Sequence, residues 1–162
     1  MQAEELLTER RSVREYTDES ISQETLEKIV DKARFAPTGN NVQPWEMVAV
    51  TDQEKLDKIA ELNDQPPGFK ACIAVFVREE GLYVKDAASL TTYLTLSAKT
   101  EGLGSCWVGA YEKDFADEIK EMLDVPEDLK LFSFVTLGYP AEEPSVDKRG
   151  LDDVLSWETY SN

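Results

Sequence analysis

The sequence predicts a single domain in which helices surround a few buried strands, a fold of the α/β or α+β class. The chain has 162 residues, which is enough for one hydrophobic core and too few for two domains. Residues 71–77 and 131–137 are predominantly apolar, as expected of central strands. Longer segments between such runs carry apolar residues at helical spacing.

Two helices are predicted in the first part of the chain. Residues 2–9 form a short first helix, and the side chain of Ser22 caps a second one. Pro37 ends this second helix near residues 35–36, because proline disfavours helical geometry in the residue before it. The buried face of the second helix is predicted from four apolar residues at one-face spacing, Leu26, Ile29, Val30 and Ala33.

The middle of the chain alternates between strands and helices. A short strand is predicted at 47–50, a helix at 53–62 and a strand buried on both faces at 71–77. A long helix follows at 86–100 and stops at Gly102. Because this long helix is almost uncharged, we expect it in a core or in an interface between subunits.

The C-terminal part of the chain contains two further strands, predicted at 104–108 and 131–137, and a helix between them that Asp114 caps. Residues 141–162 combine a polar loop with a tail. The tail carries five large apolar side chains, Leu151, Val154, Leu155, Trp157 and Tyr160. We therefore expect the tail to pack on its own core or on a neighbouring subunit.

Charge and composition exclude several function classes. The chain has 17 Lys and Arg against 33 Asp and Glu, and its net charge of −16 repels nucleic acid and anionic membrane surfaces. It has no histidine, so the commonest general base and most zinc or iron sites are excluded, and no metal is expected. Cys72 and Cys106 lie in apolar runs, which indicates buried thiols. We expect a cofactor to supply the chemistry.

Location is predicted from the apolar pattern. No apolar run reaches the length needed to span a bilayer. Residues 1–5 show neither the basic nor the apolar region of a secretion signal, so we expect a cytoplasmic protein.

The first candidate site is a basic cluster at residues 10–14, Arg-Arg-Ser-Val-Arg. Guanidinium forks and a hydroxyl are donors that fit phosphate oxygens. The alternative is a solvated charge run, in which the arginines pair with acidic neighbours such as Glu9, Glu15 and Asp18. A second basic pair, Lys148-Arg149, is informative only if the fold brings it beside the first cluster.

Two loops are further candidates. Residues 40–45 offer carboxamide donors and acceptors that suit the polar edge of a heterocycle, although an ordinary turn also explains the Asn residues. Residues 102–110 are rich in small residues, which let backbone N–H groups approach a flat ring closely. A helix C-cap that runs into a strand explains this second segment equally well.

In combination, these segments resemble the nitroreductase family of FMN-dependent oxidoreductases. The cluster at 10–14 resembles the N-terminal phosphate-binding motif of that family. Residues 36–45 are similar to its Pro-Ser-x-x-Asn-x-Gln-Pro-Trp turn, with Thr38 where Ser is usual. Residues 102–107, and residues 137–140 together with 148–155, resemble its later segments in the same order.

The resemblance implies an α+β fold of three layers, in which helices flank a mixed central β-sheet, and an intertwined homodimer. It implies that residues 1–162 form one FMN-binding domain, with residues 150–162 as a tail that packs on the partner subunit. The helix at 86–100 would lie in the dimer interface. FMN would lie between the two subunits. The net charge of −16 leaves neither nucleic acid nor a membrane as an expected partner.

The resemblance also assigns the phosphate of FMN to a set of donors. Arg10, Arg11, Ser12 and Arg149 would hold it, with Lys148 as a further candidate. The spacing from this last pair to the tail is tighter than the family pattern, which leaves the role of Lys148 open.

Other residues are assigned to the rest of FMN by the same resemblance. Arg14 would lie at the phosphate or at the polar edge of the ring. Asn41 and Gln43 would contact the ribityl chain or the isoalloxazine, and backbone N–H groups near Gly109 and Ala110 would face N5. Because N5 carries the chemistry, no catalytic side chain is expected, and NADH or NADPH is the reductant.

The implied activity is hydride transfer from NAD(P)H through FMN to small acceptors such as nitroaromatics, quinones or free flavin, with ping-pong kinetics. Two alternatives stay open: a specialised reaction on the same fold, such as reductive dehalogenation, and a non-catalytic FMN storage, carrier or sensing protein. The segment between 62 and 71 is short where substrate-covering insertions are expected, so the acceptor is not specified.

Overall fold

A four-stranded sheet with helices on both faces organises the chain. The computed structural model describes residues 2–161. The strands follow the order β1-β2-β4-β3 across the sheet, so that β1 and β3 form its two edges. Their bounds are β1 Trp45–Val50, β2 Ala71–Val77, β3 Gly104–Gly109 and β4 Lys130–Gly138.

Five helices and two short 3₁₀ turns connect the strands in the described residues. The turns cover Gly39–Asn41 and Leu151–Asp153. The helix that was expected to end near residues 35–36 ends at 33, and the long helix begins at 83 rather than 86. The helices are α1 Ala3–Glu9, α2 Gln23–Ala33, α3 Gln53–Leu62, α4 Tyr83–Thr100 and α5 Ala116–Met122.

The expected mixed sheet is wrong for the four described strands, because each hydrogen-bonded pair of strands runs antiparallel. The 18-residue helix α4 returns the chain so that β3 runs in the same direction as β2. β4 then inserts between these two strands and pairs antiparallel with both. A single isolated bridge, between Ser12 and Ser105, is parallel.

The two faces of the sheet carry separate cores, which gives three layers. On β2, Ile73, Val75 and Val77 pack with α2 and α4. The alternate side chains of β2 pack with α3 and α5 on the opposite face. All seven residues of β2 are buried, which confirms the prediction of a strand covered on both faces.

Of the two N-caps predicted from the sequence, the structure confirms Ser22 and contradicts Asp114. The Ser22 side chain accepts a hydrogen bond from the Thr25 N–H at 3.1 Å, as expected of an N-cap. Asp114 does not cap α5, because Ala116 N–H donates to Lys113 O and closes a turn that contains Asp114. The helix begins after this turn, and its N-cap, Phe115, has no side-chain hydrogen bond.

The structure confirms the expectation for the two thiols and narrows the expectation for the tail. Cys72 and Cys106 are free and buried, as predicted. The tail does not pack on its own core, since Leu151, Trp157 and Tyr160 are 69%, 78% and 85% exposed. No helix among residues 2–161 is long and apolar enough to cross a membrane.

Candidate functional site

The arginine segment, residues 10–17, runs along the β3 edge of the sheet. Val13 N–H donates to Ser105 O at 2.9 Å, and Ser12 forms the parallel bridge with Ser105. This close approach depends on Gly104, where a Cβ would lie 2.8 Å from Val13 Cγ1. The sequence therefore presents its basic cluster on extended backbone held against a strand.

A second contact holds the same segment at Tyr16. Its hydroxyl donates to Val13 O at 2.6 Å and pairs with Thr136 Oγ1 at 2.9 Å. Burial raises the pKa of Tyr16 well above its usual range. The ring lies over Gly138, where a Cβ would come within 2.6 Å of it. The phenol therefore stays neutral and anchors the backbone of the segment.

The three guanidiniums of this segment are not consumed by ion pairs. Within the described part of the chain, no carboxylate lies within 4 Å of the guanidinium of Arg10, Arg11 or Arg14. Two of the acidic neighbours have other partners, since Glu9 pairs with Lys99 at 3.8 Å and Asp18 with Lys70 at 3.0 Å. The alternative of local ion pairing is therefore not what the structure shows.

An open groove of about 470 Å³ lies beside the segment and is lined by Arg10, Arg11 and Lys99. Its floor is residues 102–105, the turn from α4 into β3. Arg11 Nη1 donates to Thr8 O at 2.8 Å and to Arg10 O at 2.9 Å, so part of this guanidinium caps the end of α1. Its Nε is buried without a partner. The groove thus combines free positive charge with an unused donor.

Cys106 lies on β3 next to Ser105, the residue that Ser12 bridges. Burial raises the pKa of its thiol, while the charges of Arg14 and Arg10 and a hydrogen bond from Ser12 act in the opposite direction. Among the residues expected at the phosphate or the ring, Arg10 and Arg11 line the groove, Arg14 lines a separate crevice with Tyr16 and Thr136, and Ser12 bridges to Ser105 on β3.

Glu142 fixes the backbone of the segment from the other side. Its Oε1 accepts the backbone N–H of Arg14 at 2.7 Å and of Glu15 at 3.2 Å. Glu142 and Glu143 also line the groove, so its lining carries acidic as well as basic side chains.

The second basic pair is not brought to the groove in this chain. Lys148 and Arg149 are exposed and are not among the groove-lining residues, although Pro144 of the same segment is. The Arg149 guanidinium donates to Asp153 O within its own 3₁₀ turn. Their expected phosphate contact remains a prediction.

The Asn-Gln loop, residues 38–43, adopts unusual backbone geometry. Asn40, Asn41 and Gln43 have φ values of 51°, 57° and 51°, in the left-handed region that non-glycine residues rarely occupy. Such residues cost about 1–3 kcal/mol each and persist where their surroundings determine the conformation. The Gln43 side chain donates to Asn41 O at 3.3 Å. The loop is exposed and presents carboxamides from a preset backbone.

At the end of β3, the backbone N–H groups of Gly109 and Ala110 point in different directions. Ala110 N–H donates to Phe132 O on β4 at 3.0 Å, so this N–H is not free to face a ligand. In an antiparallel pair the hydrogen-bonded residues alternate, and Gly109 N–H therefore points away from β4 at the open sheet edge. Of the two backbone donors expected at N5, Gly109 is the one that the geometry leaves available.

An aromatic group lies beside Gly109 and was not identified from the sequence. Trp107 shares a face of β3 with Gly109 and is 38% exposed. Its ring centroid lies 6.3 Å from that of Phe132, which in turn lies 6.1 Å from Tyr111. A Cβ on Gly109 would meet nothing within 4 Å. The missing side chain therefore leaves open space next to an aromatic wall.

A further polar residue near the arginines is Gln65. It lines a small crevice together with Arg14, Tyr16 and Thr136. The sequence showed it only as part of a proline-containing loop, without periodicity or motif, so no sequence signal could have placed it here. Its carboxamide adds a donor and an acceptor beside the Arg14 guanidinium.

The site as a whole offers hydrogen-bond donors for an anion and open sheet edge for a ring. In the part of the chain that the structure describes, no group of three or more His, Cys, Asp or Glu residues could hold a metal ion. Its donors are arginines, a serine, carboxamides and an outward-facing backbone N–H. Such a set of donors fits a phosphate-bearing heterocycle.

Comparisons with known proteins identify relatives of the chain. A sequence profile described as the nitroreductase family matches residues 7–66 and 78–139. An Archaeoglobus fulgidus protein, provisionally described as an NADH dehydrogenase/NAD(P)H nitroreductase, is 36% identical and covers 83% of each chain. An FMN reductase [NAD(P)H] of Bacillus subtilis is 30% identical over 96% of this chain and 73% of its own length.

Solved structures agree with these sequence matches. An FMN-dependent nitroreductase of Clostridium difficile R20291 superposes with a TM-score of 0.85 at 26% identity. The superposition covers 96% of this chain and 98% of that protein. The structural similarity therefore extends over nearly the full length of both chains.

Proposed function

The chain belongs to the nitroreductase family, and from this membership we propose that it is an NAD(P)H-dependent oxidoreductase that binds FMN. The names of its relatives support both parts, since one is an FMN reductase [NAD(P)H] and one an FMN-dependent nitroreductase. The observation that carries the proposal is the arginine segment. Within residues 2–161, its three guanidiniums form no ion pairs, and the backbone of the segment bridges to β3, in a chain of net charge −16.

The residues present fit an FMN phosphate. Arg10 and Arg11 line the groove, and the buried Nε of Arg11 lacks a partner that a phosphate oxygen would supply. Ser12, between them and Arg14 on the same segment, would add a hydroxyl donor. We propose Lys148 and Arg149 as further phosphate contacts. They reach the groove only if the exposed segment after Pro144 packs differently from its placement in the isolated chain.

The residues present also fit the rest of the cofactor. Asn41 and Gln43 present polar groups to the ribityl chain or the isoalloxazine edge, and Arg14 faces the ring or the phosphate. Gly109 offers an outward N–H and open space beside Trp107, where a flat ring would stack. Bound FMN supplies the group that accepts hydride from NAD(P)H and passes it to the acceptor. The chain's own role is to bind, orient and leave one ring face open.

We propose that the protein is a homodimer and that residues 150–162 pack on the partner subunit. Three large side chains of the tail, Leu151, Trp157 and Tyr160, are more than two-thirds exposed in the single chain. Exposed apolar residues on this scale favour a protein partner. Val84 and Tyr93 on α4 are also partly exposed, at 39% and 37%, in keeping with an interface role for that helix.

The acceptor class follows from the openness of the site. The stretch between α3 and β2 has eight residues, so no long insertion covers the ring there. We propose that small planar acceptors such as nitroaromatics, quinones and free flavin stack on the exposed face in turn with the nicotinamide. Since NAD(P)H is supplied inside cells, we propose a cytoplasmic location.

The test is the visible absorption spectrum of the purified protein, before and after addition of NADH or NADPH without oxygen. A flavin spectrum that bleaches supports the proposed oxidoreductase, and the two donors compared at equal concentration give the preference. Bound flavin that neither donor reduces would favour an FMN storage or carrier role. A protein that binds no FMN after incubation with the cofactor would overturn the proposal.

A further inference from the structure

Asp86 is a buried carboxylate in the first turn of α4. It is 4% exposed, and its Oδ1 accepts the backbone N–H of Gly39 at 3.0 Å. Its Oδ2 is buried without a hydrogen-bond partner. A buried carboxylate with one satisfied oxygen is costly, and such exceptions call for an explanation.

Thr38, the residue before Gly39, also has an unsatisfied buried polar atom. The Thr38 Oγ1 is also buried without a hydrogen-bond partner. A hydroxyl donor and a carboxylate acceptor are thus both unsatisfied, on residues joined to each other through the Gly39 N–H contact. One additional hydrogen bond, from Thr38 to Asp86 Oδ2, would satisfy both.

No cation compensates Asp86 in the described residues, since none of the observed ion pairs includes it. Its interaction is with the Asn-Gln loop, whose Asn40, Asn41 and Gln43 have positive φ. Leu82, just before α4, also lies close to Gly39, because an added Cβ on Gly39 would lie 3.2 Å from Leu82 Cδ1. The start of α4 therefore contacts the loop at Gly39.

We propose that Asp86 is a positioning residue for FMN binding, which holds the Asn-Gln loop through Gly39 N–H and receives the Thr38 hydroxyl on its second oxygen when the loop closes on the cofactor. This inference rests on the proposed function and deepens it. It assigns roles to two side chains that do not reach the cofactor themselves. Asn41 and Gln43 would then depend on Asp86 for their placement.

The chain offers matched variants for the test. Thr38→Ser keeps the hydroxyl, and Thr38→Val removes it with little change of shape. Asp86→Asn keeps an acceptor for Gly39 N–H and places an NH₂ group where Oδ2 stands, which can donate to the Thr38 hydroxyl oxygen, so this variant removes the charge and retains both contacts. Asp86→Ala removes both contacts. The thermal midpoint of each apoprotein shows whether the variant folds.

Two readouts separate positioning from a merely structural role. The first is the FMN dissociation constant from quenching of flavin fluorescence. We expect Thr38→Ser and Asp86→Asn to bind FMN like the wild type, and Thr38→Val and Asp86→Ala each to weaken binding by roughly tenfold or more. The combination of Thr38→Val with Asp86→Ala should weaken binding no further than Asp86→Ala alone, because Asp86→Ala already removes the Thr38 contact. The second readout is amide hydrogen exchange at Gly39 in the apoprotein, which should accelerate in Asp86→Ala and stay slow in Asp86→Asn.

Specific results would overturn the proposal. Wild-type FMN affinity in Thr38→Val would refute the Thr38 contact, and unchanged exchange at Gly39 in Asp86→Ala would refute the hold on the loop. Additive effects of the two substitutions would show that the side chains act separately. A wild-type protein that binds no FMN would overturn the proposed function and the positioning role together, whereas the exchange experiment would still decide the hold on the loop.

Discussion

Gly104 and Val13 pack so closely that a Cβ on Gly104 would lie 2.8 Å from Val13 Cγ1 and 2.9 Å from Val13 Cβ. This contact joins the extended arginine segment to β3 at the edge of the sheet. It is the place where fold and site depend on each other most directly, because Val13 stands between Ser12 and Arg14 on the arginine segment.

Gly104→Ala should push the arginine segment off β3. We expect a loss of about 1–3 kcal/mol in the free energy of unfolding, because overpacking forces side chains or backbone to move. FMN affinity should fall as well, since Ser12 and Arg14 move with Val13. Urea unfolding and flavin titration measure the two effects. An alanine variant with wild-type values in both would show that the contact is not tight.

Gly109→Ala should impair the function of the site and leave the stability of the fold nearly unchanged. A Cβ at this position meets nothing within 4 Å, so we expect a change in unfolding free energy within about 0.5 kcal/mol. If the flavin ring stacks here, the added methyl group will weaken FMN binding or slow reduction by NAD(P)H. Stopped-flow reduction without oxygen measures the rate. Normal binding and reduction would place the ring elsewhere.

Arg10→Ala should release the cofactor while the fold persists. Hydrogen bonds to charged groups contribute about 1.5–3 kcal/mol, so the FMN dissociation constant should rise about 10- to 150-fold. Arg10→Lys keeps the charge but loses the planar fork, so its FMN dissociation constant should lie between those of the wild type and Arg10→Ala. Arg34→Ala serves as control, since Arg34 pairs with Asp31 on the surface of α2. Equal FMN affinity of Arg10→Ala and the control would remove Arg10 from the phosphate site.

The burial of Tyr16 should make the free energy of unfolding depend on pH in the alkaline range. Burial raises the pKa of Tyr16 above its ordinary value of 10.0, so the fold favours the neutral phenol. The associated stability is present below pH 10 and is lost as the pH rises towards the folded pKa. Tyr16→Phe should cost about 1–2 kcal/mol at pH 8 and flatten the loss of stability above pH 10. Parallel curves for variant and wild type would contradict this assignment.

Truncation after Arg149 tests the role of the tail. The removed residues include Leu151, Trp157 and Tyr160, which cover nothing in the single chain, so the folded core should survive. We expect the truncated protein to become monomeric and to lose FMN, as measured by light scattering and flavin content. Trp157→Ser in the full-length chain is the milder variant. An FMN-bound dimer after truncation would exclude packing of the tail on the partner.

The secondary structure was predictable where local chemistry determines it. The seven apolar residues of β2, the Ser22 cap and the apolar stripe of α2 all act over a few residues, and the structure confirms them. Asp114 shows the limit, because the turn closed by Ala116 N–H and Lys113 O competes with the cap. Which of two local hydrogen-bond patterns forms depends on the packing of the following helix.

The sequence by itself determined the element order, the absence of histidine chemistry and the basic cluster at 10–14 in an acidic chain, because these follow from composition and short-range spacing. Tertiary structure alone decided that the four strands pair antiparallel, that Gly109 keeps a free N–H while Ala110 does not, and that Asp86 holds Gly39. Strand order and hydrogen-bond register join residues tens of positions apart, and no local pattern encodes which of them meet.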